Sequence, residues 1–321
     1  YDSPDVIANF TAELGPKVTL DSFSSNEELI AKLVAAKGTS GYDIVVPTGV
    51  FIPQMIENGL LTKFNKDLLP NLSAMDPSVM GRAWDPENDY SVCKAWGTTG
   101  YVYDKTVITR ELKTWEDFFD AAKNEASGKT SMSDDPAGII GAYFWARDED
   151  WNTTDVAALD ACRDFLVTEI APHISAFDSY PGTSAIPQGT QMLMQAWNGD
   201  ARLGLLESSE PERWQWVLPG PVTELWMDNW AIAAGAPNPE AAHAFINFSI
   251  APENALLNLD YIGYNVGAKD MEAEAIAADF PLTEMIFFDA AQLETMHEQT
   301  LNDSQTQRVE IWNEMKAAAG A

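Results

Sequence analysis

The sequence predicts an α/β fold organised as two domains. Three observations lead there. The chain has 321 residues, enough for two domains and a sizeable core. Hydrophobic residues make up 46% and charged residues 21%, the balance of a globular chain. The first 60 residues read helix, strand, helix, strand, helix. That alternation calls for a parallel sheet with crossover helices.

The elements follow in order. "YDSPDVIANFTAELG" reads as a helix: Ser3 can cap it, Pro4 suits its first turn and Gly15 ends it. "KVTLDSF" is strand-like. "SNEELIAKLVAAKG" is an amphipathic helix with Leu29, Ile30, Leu33 and Val34 on one face and Gly38 as the stop. "YDIVVPTG" is a buried-type strand, and "FIPQMIENG" a short helix ending at Asn58-Gly59. Ligands of such sheets sit at the carboxyl ends of strands, so the loops after Val46 and over 21–25 are candidate site walls. From 85 the chain turns aromatic and extended, through "DPENDYSVCKAWGTTGYVYDKTVI".

"TWEDFFDAAKN" starts a helix capped by Thr114. "ASGKTSMSDDPAGIIGAYFWA" gives a strand, an acidic loop and a helix, and "NTTDVAALDACRDFLVTEI" an amphipathic helix. "GTQMLMQAWNGDARLGLLES" reads helix, turn, strand, and "RWQWVLPGPVTELWMDNWAIAAG" strand, loop, strand. Two helices broken near Pro252 and a terminal helix complete the chain. No internal repeat and no low-complexity linker occurs.

Composition narrows the function. Asp and Glu number 49 against 19 Lys and Arg, a net charge of −30. That excludes a nucleic-acid partner, which needs a basic surface. It suits cationic partners through long-range steering, and it equally suits plain solubility or a salty habitat. No run of about 18 apolar residues is present to span a membrane. No charged and apolar leader opens the sequence, so a signal peptide is expected to have been removed. Cys93, Cys162 and three scattered histidines match no metal spacing, and no cofactor motif is found.

The usual catalytic signatures are missing: no nucleophile elbow, P-loop, dinucleotide fingerprint or HExxH. "SDD" at 133–135 offers paired carboxylates for acid–base work. It also reads as a helix start, with Asp135 as cap and Pro136 at the first position. A carbohydrate-active enzyme would use Asp134 or Asp135 with Glu224 or Asp228 against Trp platforms, and turnover of a glycoside would decide for it.

There are 11 Trp, several beside acids or glycine: Trp84, Trp96, Trp197, and Trp226 and Trp230 around Asp228. Each alone suits a core. As a set they suit a cation cage, since ring faces attract cations and a carboxylate adds a charge-assisted hydrogen bond. In a regular strand Trp226, Asp228 and Trp230 share a face, whereas a bulge would turn Trp230 into the core. Trp230 is therefore not counted in the site.

The segments "SNEELIAKL" (25–33), "YDIVVPTGVFIPQMIENGLL" (42–61), "DPENDYSVCKAWGTTG" (85–100), "SDD" (133–135), "AWNGDA" (196–201), "LWMDNWAI" (225–232) and "IGYN" (262–265) carry a resemblance. In that order they resemble the spermidine/putrescine-binding proteins of ABC transporters, a branch of the periplasmic binding proteins. The resemblance implies a two-lobed, type II-like fold with a ligand cleft between lobes that close by a hinge. Lobe 1 would be 1–100 with 229–270 and lobe 2 101–228 with 271–321. It implies a monomeric, periplasmic or otherwise extracytoplasmic receptor, without cofactor, that delivers a polyamine to a permease. Asp135 and Asp228 match the family's acidic ligand contacts; Trp197, Trp226, Tyr264 and Tyr1 match its aromatic ones.

Three departures bear on the ligand. Gly138 stands where the family carries a second acid. Gly49-Val50 replaces an aromatic wall residue, with Phe51 adjacent. The family begins with an apolar strand and an aromatic loop, and this sequence begins after their equivalents, so lobe 1 is expected to lack part of its sheet and the site one wall. With two acids, a shorter diamine such as putrescine, or an amine with one strong cationic end, fits better than spermidine. An amino acid or GABA on the same fold would need a cation from Arg82, Lys94, Arg147 or Arg202. By the lobe map a Cys93–Cys162 disulfide would staple the hinge, so two free thiols are expected.

Overall fold

The computed structural model describes residues 1–23, 25–38 and 40–320. Ser24, within the expected wall loop 21–25, lies outside them. The strands are β1 (Ile44–Val45), β2 (Leu61–Thr62), β3 (Ser91–Asp104), β4 (Thr130–Met132), β5 (Ile174–Phe177), β6 (Leu193–Trp197), β7 (Trp214–Val217), β8 (Thr223–Ala233) and β9 (Met296–Glu298). The chain divides into two compact units: Tyr1–Trp96 with Trp226–Thr283, and Gly97–Leu225 with Glu284–Ala321. It passes from one to the other inside β3, inside β8 and after Thr283. These bounds differ from the expected lobes: Asp228 and residues 271–283 fall in the first unit.

In the first unit β1 and β2 both pair antiparallel with β8, and not in the parallel manner the alternation suggests. The strand expected at 17–23 does not form. That segment finds no ladder partner and leaves Leu20 57% exposed, and strand propensity without pairing does not hold a strand. Local signals at the helices are followed closely. Ser3 accepts from the Val6 N–H ahead of the helix Pro4–Leu14, and Gly15 ends it at a φ of 95°. Ser25 accepts from the Glu28 N–H ahead of the helix Asn26–Ala36. That helix buries Leu29 and Leu33, but Val34 points to solvent. Its apolar stripe is narrower than the sequence suggests. Phe10, Val92, Trp230, Ile232, Phe245 and Ile246 centre one apolar cluster, and Leu29, Leu33, Val45, Ile52 and Met55 a second.

In the second unit β4 runs parallel to both β5 and β6, while β6 and β7 pair antiparallel with β3. Residues 193–207 form a strand followed by the helix Asn198–Glu207, the reverse of the expected order. "LMQAW" is buried between β3 and β4 except at its end, and a short buried apolar run carries no period that separates strand from helix. Thr114 and Asp117 form a capping box at the start of Trp115–Lys123. The core gathers Trp115, Phe118, Trp145 and Trp151 with Ile311 and Met315 of the terminal helix Gln305–Ala319. Cys93 and Cys162 are free, buried thiols, one in each unit.

Candidate functional site

β8 carries the candidate site residues of the first unit. Its register against the segment before it is unbroken: Ile44 opposite Ile232, Val45 opposite Ala231, and Thr48 opposite Asp228. From Asp228 to Ile232 that register shows no bulge, so Asp228 and Trp230 share one face of the strand, and the two-residue spacing of Trp226 continues it. Trp230 lies at the buried end of that face, 5% exposed and edge-on to Phe245.

Asp228 is part-buried and held at both oxygens. Thr48 donates to Oδ1 at 2.7 Å, and the Tyr1 hydroxyl donates to Oδ2. Thr48 is fixed in turn by Asn26, which donates to its hydroxyl and accepts from its backbone N–H, both at 3.0 Å. Asn26 opens one helix and Thr48 precedes the turn Gly49–Phe51, so two local starts converge on one carboxylate. Tyr264 is the joint of the ring system, edge-on to Tyr1 at 6.2 Å and to Trp226 at 4.9 Å. Burial pushes the Asp228 carboxyl above its ordinary range, although Tyr1, Thr48 and Lys94 all pull it down. The Tyr1 phenol is raised by burial and by the charge of Asp228.

Lys94 is built into the same unit. Its ammonium pairs with Asp2 at 2.9 Å, donates to the Tyr1 carbonyl at 2.7 Å, and lies 4.2 Å and 4.5 Å from the Tyr1 and Trp230 ring centroids. Burial pushes Asp2 up, Lys94 pulls against it, and the carboxyl ends below its ordinary value.

Chemically, this unit offers one carboxylate with lone pairs remaining after two donors, beside three linked rings. It suits an ammonium group.

The second unit places Asp135, Trp197 and Tyr180 just beyond the carboxyl ends of the parallel strands β4, β6 and β5. Asp135 caps the helix Pro136–Trp145, accepting from the Gly138 N–H at 2.8 Å. Gly138 is packed closely: a Cβ there would come within 2.8 Å of Ser133 Oγ and 3.3 Å of Gln195 Nε2. Gln195 donates to the Gly138 carbonyl and accepts from the Ser133 N–H. No acid fits at 138 without moving both neighbours. Trp197 stands edge-on to Tyr180 at 5.8 Å.

Of the residues singled out from sequence, Tyr1, Trp226, Asp228 and Tyr264 meet in one unit, and Asp135 and Trp197 lie in the other. Phe51 is buried at 8% exposure and pairs with none of those rings among the described residues. A Cβ at Gly49 would clash with the Trp84 indole, so Trp84 fills the space over that turn. Thr48, Asn26 and Tyr180 escaped the sequence reading; the first two sit in motifs it quoted, but nothing local links 26, 48 and 228.

The other carboxylates that an acid–base enzyme would draw on each have partners in the structure. Asp134 pairs with Lys316 at 3.0 Å, Asp135 caps its helix, and Glu224 is buried and accepts from the Thr99 hydroxyl at 2.6 Å. Among the described residues no group of acids, His and Cys is arranged to hold a metal ion.

Comparison with known proteins agrees with this chemistry. The model of the bacterial extracellular solute-binding proteins matches residues 5–282. The spermidine/putrescine-binding periplasmic protein of Escherichia coli (strain K12) is 31% identical over 283 residues, covering 87% of this chain and 79% of that protein. The putrescine/cadaverine-binding protein of Pseudomonas aeruginosa is 28% identical over 330 residues, covering 98% and 91%. The Tp0655 (TpPotD) lipoprotein of Treponema pallidum superimposes with a TM-score of 0.82 at 27% identity, over 99% of this chain and 96% of that one. The α/β fold is that of the periplasmic binding proteins, and the chain belongs to the bacterial extracellular solute-binding proteins.

Proposed function

We propose that this extracytoplasmic protein binds a small diamine or polyamine and delivers it to the permease of an ABC importer. The observation that carries the reading is Asp228, held by Tyr1 and Thr48 beside the rings of Tyr1, Tyr264 and Trp226. A carboxylate fixed in this way binds an ammonium without first reorganising, and the rings pack on methylenes and exclude water. The names of the relatives, which bind spermidine, putrescine or cadaverine, support the same ligand class.

Lys94 favours an amine over an amino acid. It is the cation beside Asp228, but Asp2 already neutralises it, so it is poorly placed to take a ligand carboxylate. Arg147 is committed to the Tyr143 carbonyl and lies over the Tyr143 and Phe165 rings. The close packing of Gly138 favours a short diamine such as putrescine, because it leaves no space for a second acid beside Asp135.

The second unit contributes Asp135 and Trp197 to this proposal, with closure of two lobes on the ligand and a monomeric receptor. The ion pair of Asp134 with Lys316 and the burial of Glu224 support a binder without catalysis.

Titration calorimetry with putrescine, cadaverine, spermidine, GABA and glucose tests the reading. Putrescine is expected to bind most tightly. Asp228→Asn should cost about 2–5 kcal/mol, a loss of about 30-fold or more in affinity. Binding of GABA or glucose alone, or an Asp228→Asn variant as tight as the parent, overturns it.

A further inference from the structure

Lys94 is the feature of the first unit that a cation-binding site does not explain. A buried ammonium beside an anion meant for a ligand ammonium competes with that ligand. Its side chain is only 3% exposed, and it touches four groups at once: Asp2, the Tyr1 carbonyl, the Tyr1 ring and the Trp230 ring. The Tyr1 ring also bears the hydroxyl that meets Asp228. We infer that Lys94 is a positioning residue of the amine site: it clamps Tyr1 so that the hydroxyl meets Asp228, and it cancels one of the two negative charges, of Asp2 and Asp228, that a ligand would meet. The inference rests on the amine reading above.

Tyr1 is half exposed as a residue, while its phenol end is buried against Asp228. The ammonium holds Tyr1 twice more, through its carbonyl and its ring face. The same cation acts on Asp228, where it opposes the upward push of burial. The side-chain titratable and charged groups around Asp228 are the Tyr1 phenol, Asp2, the Cys93 thiol, Lys94 and, beyond Tyr1, the Tyr264 phenol. Lys94 is the side-chain cation among them.

The sign is fixed. Removing Lys94 raises the Asp228 carboxyl further, so the pH at which Asp228 becomes able to hold an ammonium moves up. Lys94→Met keeps the length of the stem and removes the charge. In ligand-free protein, a carbon-13 carboxyl titration, assigned with Asp228→Asn, should show Asp228 titrating about half a pH unit or more higher in Lys94→Met. Lys94→Arg should return it towards the parent. The acid limb of putrescine affinity should move in parallel, so Lys94→Met loses more affinity at pH 6 than at pH 8. Losses from Lys94→Met and Tyr1→Phe should be smaller together than their sum.

Where Lys94→Met fails to fold, Lys94→Gln keeps a donor for Asp2 and the Tyr1 carbonyl, removes the charge and should still raise the Asp228 titration. An Asp228 titration unchanged in either variant, or fully additive losses, overturns the inference. Failure of the parent to bind any amine defeats the amine reading instead, and the ligand-free titration still decides the role of Lys94.

Discussion

Asp200 lies in the first turn of the helix Asn198–Glu207, accepting from the Gly182 N–H at 2.7 Å, yet burial pushes its carboxyl up to about 7, with Asp178 adding to the rise. Its folded value stands above that of an unfolded aspartate, so the folded state binds the extra proton. Stability therefore falls as pH rises from about 4 towards 7 and levels off above, by at most about 1.4 kcal/mol per pH unit. Asp200→Asn keeps an oxygen for Gly182 and removes the titration. Urea unfolding between pH 4 and 8 should show a flatter profile for the variant and higher stability than the parent at pH 8. A variant with the parent's slope would remove Asp200 as its source. Asp200 shows how residue-level chemistry divides. Nothing in "AWNGDA" signals a buried acid, because its hydrogen-bond partner, Gly182, is 18 positions away. Asp228 was legible because indoles flank it two positions to either side on one strand face. Its partners Thr48 and Asn26 were not, since their meeting depends on the register of β8.

Elements were legible where their signals are local. Ser3, Ser25, Thr114 and Asp135 all cap the helices that follow them, because the bonds they make reach only two or three residues along the chain. The order of strand and helix over 193–207 was not, because burial between neighbouring strands leaves no period to read. Asp135 carries two assignments at once, helix cap and proposed ligand contact, and two substitutions separate them. Asp135→Asn keeps an acceptor for the Gly138 N–H and loses the charge. Asp135→Ala loses both, and a lost cap costs about 1 kcal/mol. Thermal melts should show Asp135→Ala less stable than Asp135→Asn, while both weaken putrescine binding to a similar degree. Equal affinity of Asp135→Asn and the parent would leave Asp135 a cap alone.

At the scale of the whole molecule the plainest signal was charge, and the unit boundaries were the least legible. Two boundaries fall inside β3 and β8, and a strand that continues unbroken shows no change of composition where the chain changes unit. The charge has consequences that salt can test. With 49 acidic and 19 basic side chains, the folded chain repels itself and attracts cations from a distance. Screening shortens from about 10 Å at 0.1 M salt to about 3 Å at 1 M, so added salt relieves the repulsion and weakens the steering together. The melting temperature should therefore rise between 0.02 and 1 M sodium chloride at ~pH 7. Over the same range the association rate of putrescine should fall about tenfold or more, as expected for electrostatically steered encounter. Dissociation should change less, because the ion pair at Asp228 is shielded from solvent ions by Tyr1, Tyr264 and Trp226. Stopped-flow indole fluorescence separates the two rates. A melting temperature and an association rate that both ignore salt would mean the acidic surface neither strains the fold nor guides the ligand. A salt effect confined to dissociation would mean the ions reach Asp228 itself, and the ring wall would then be open to water.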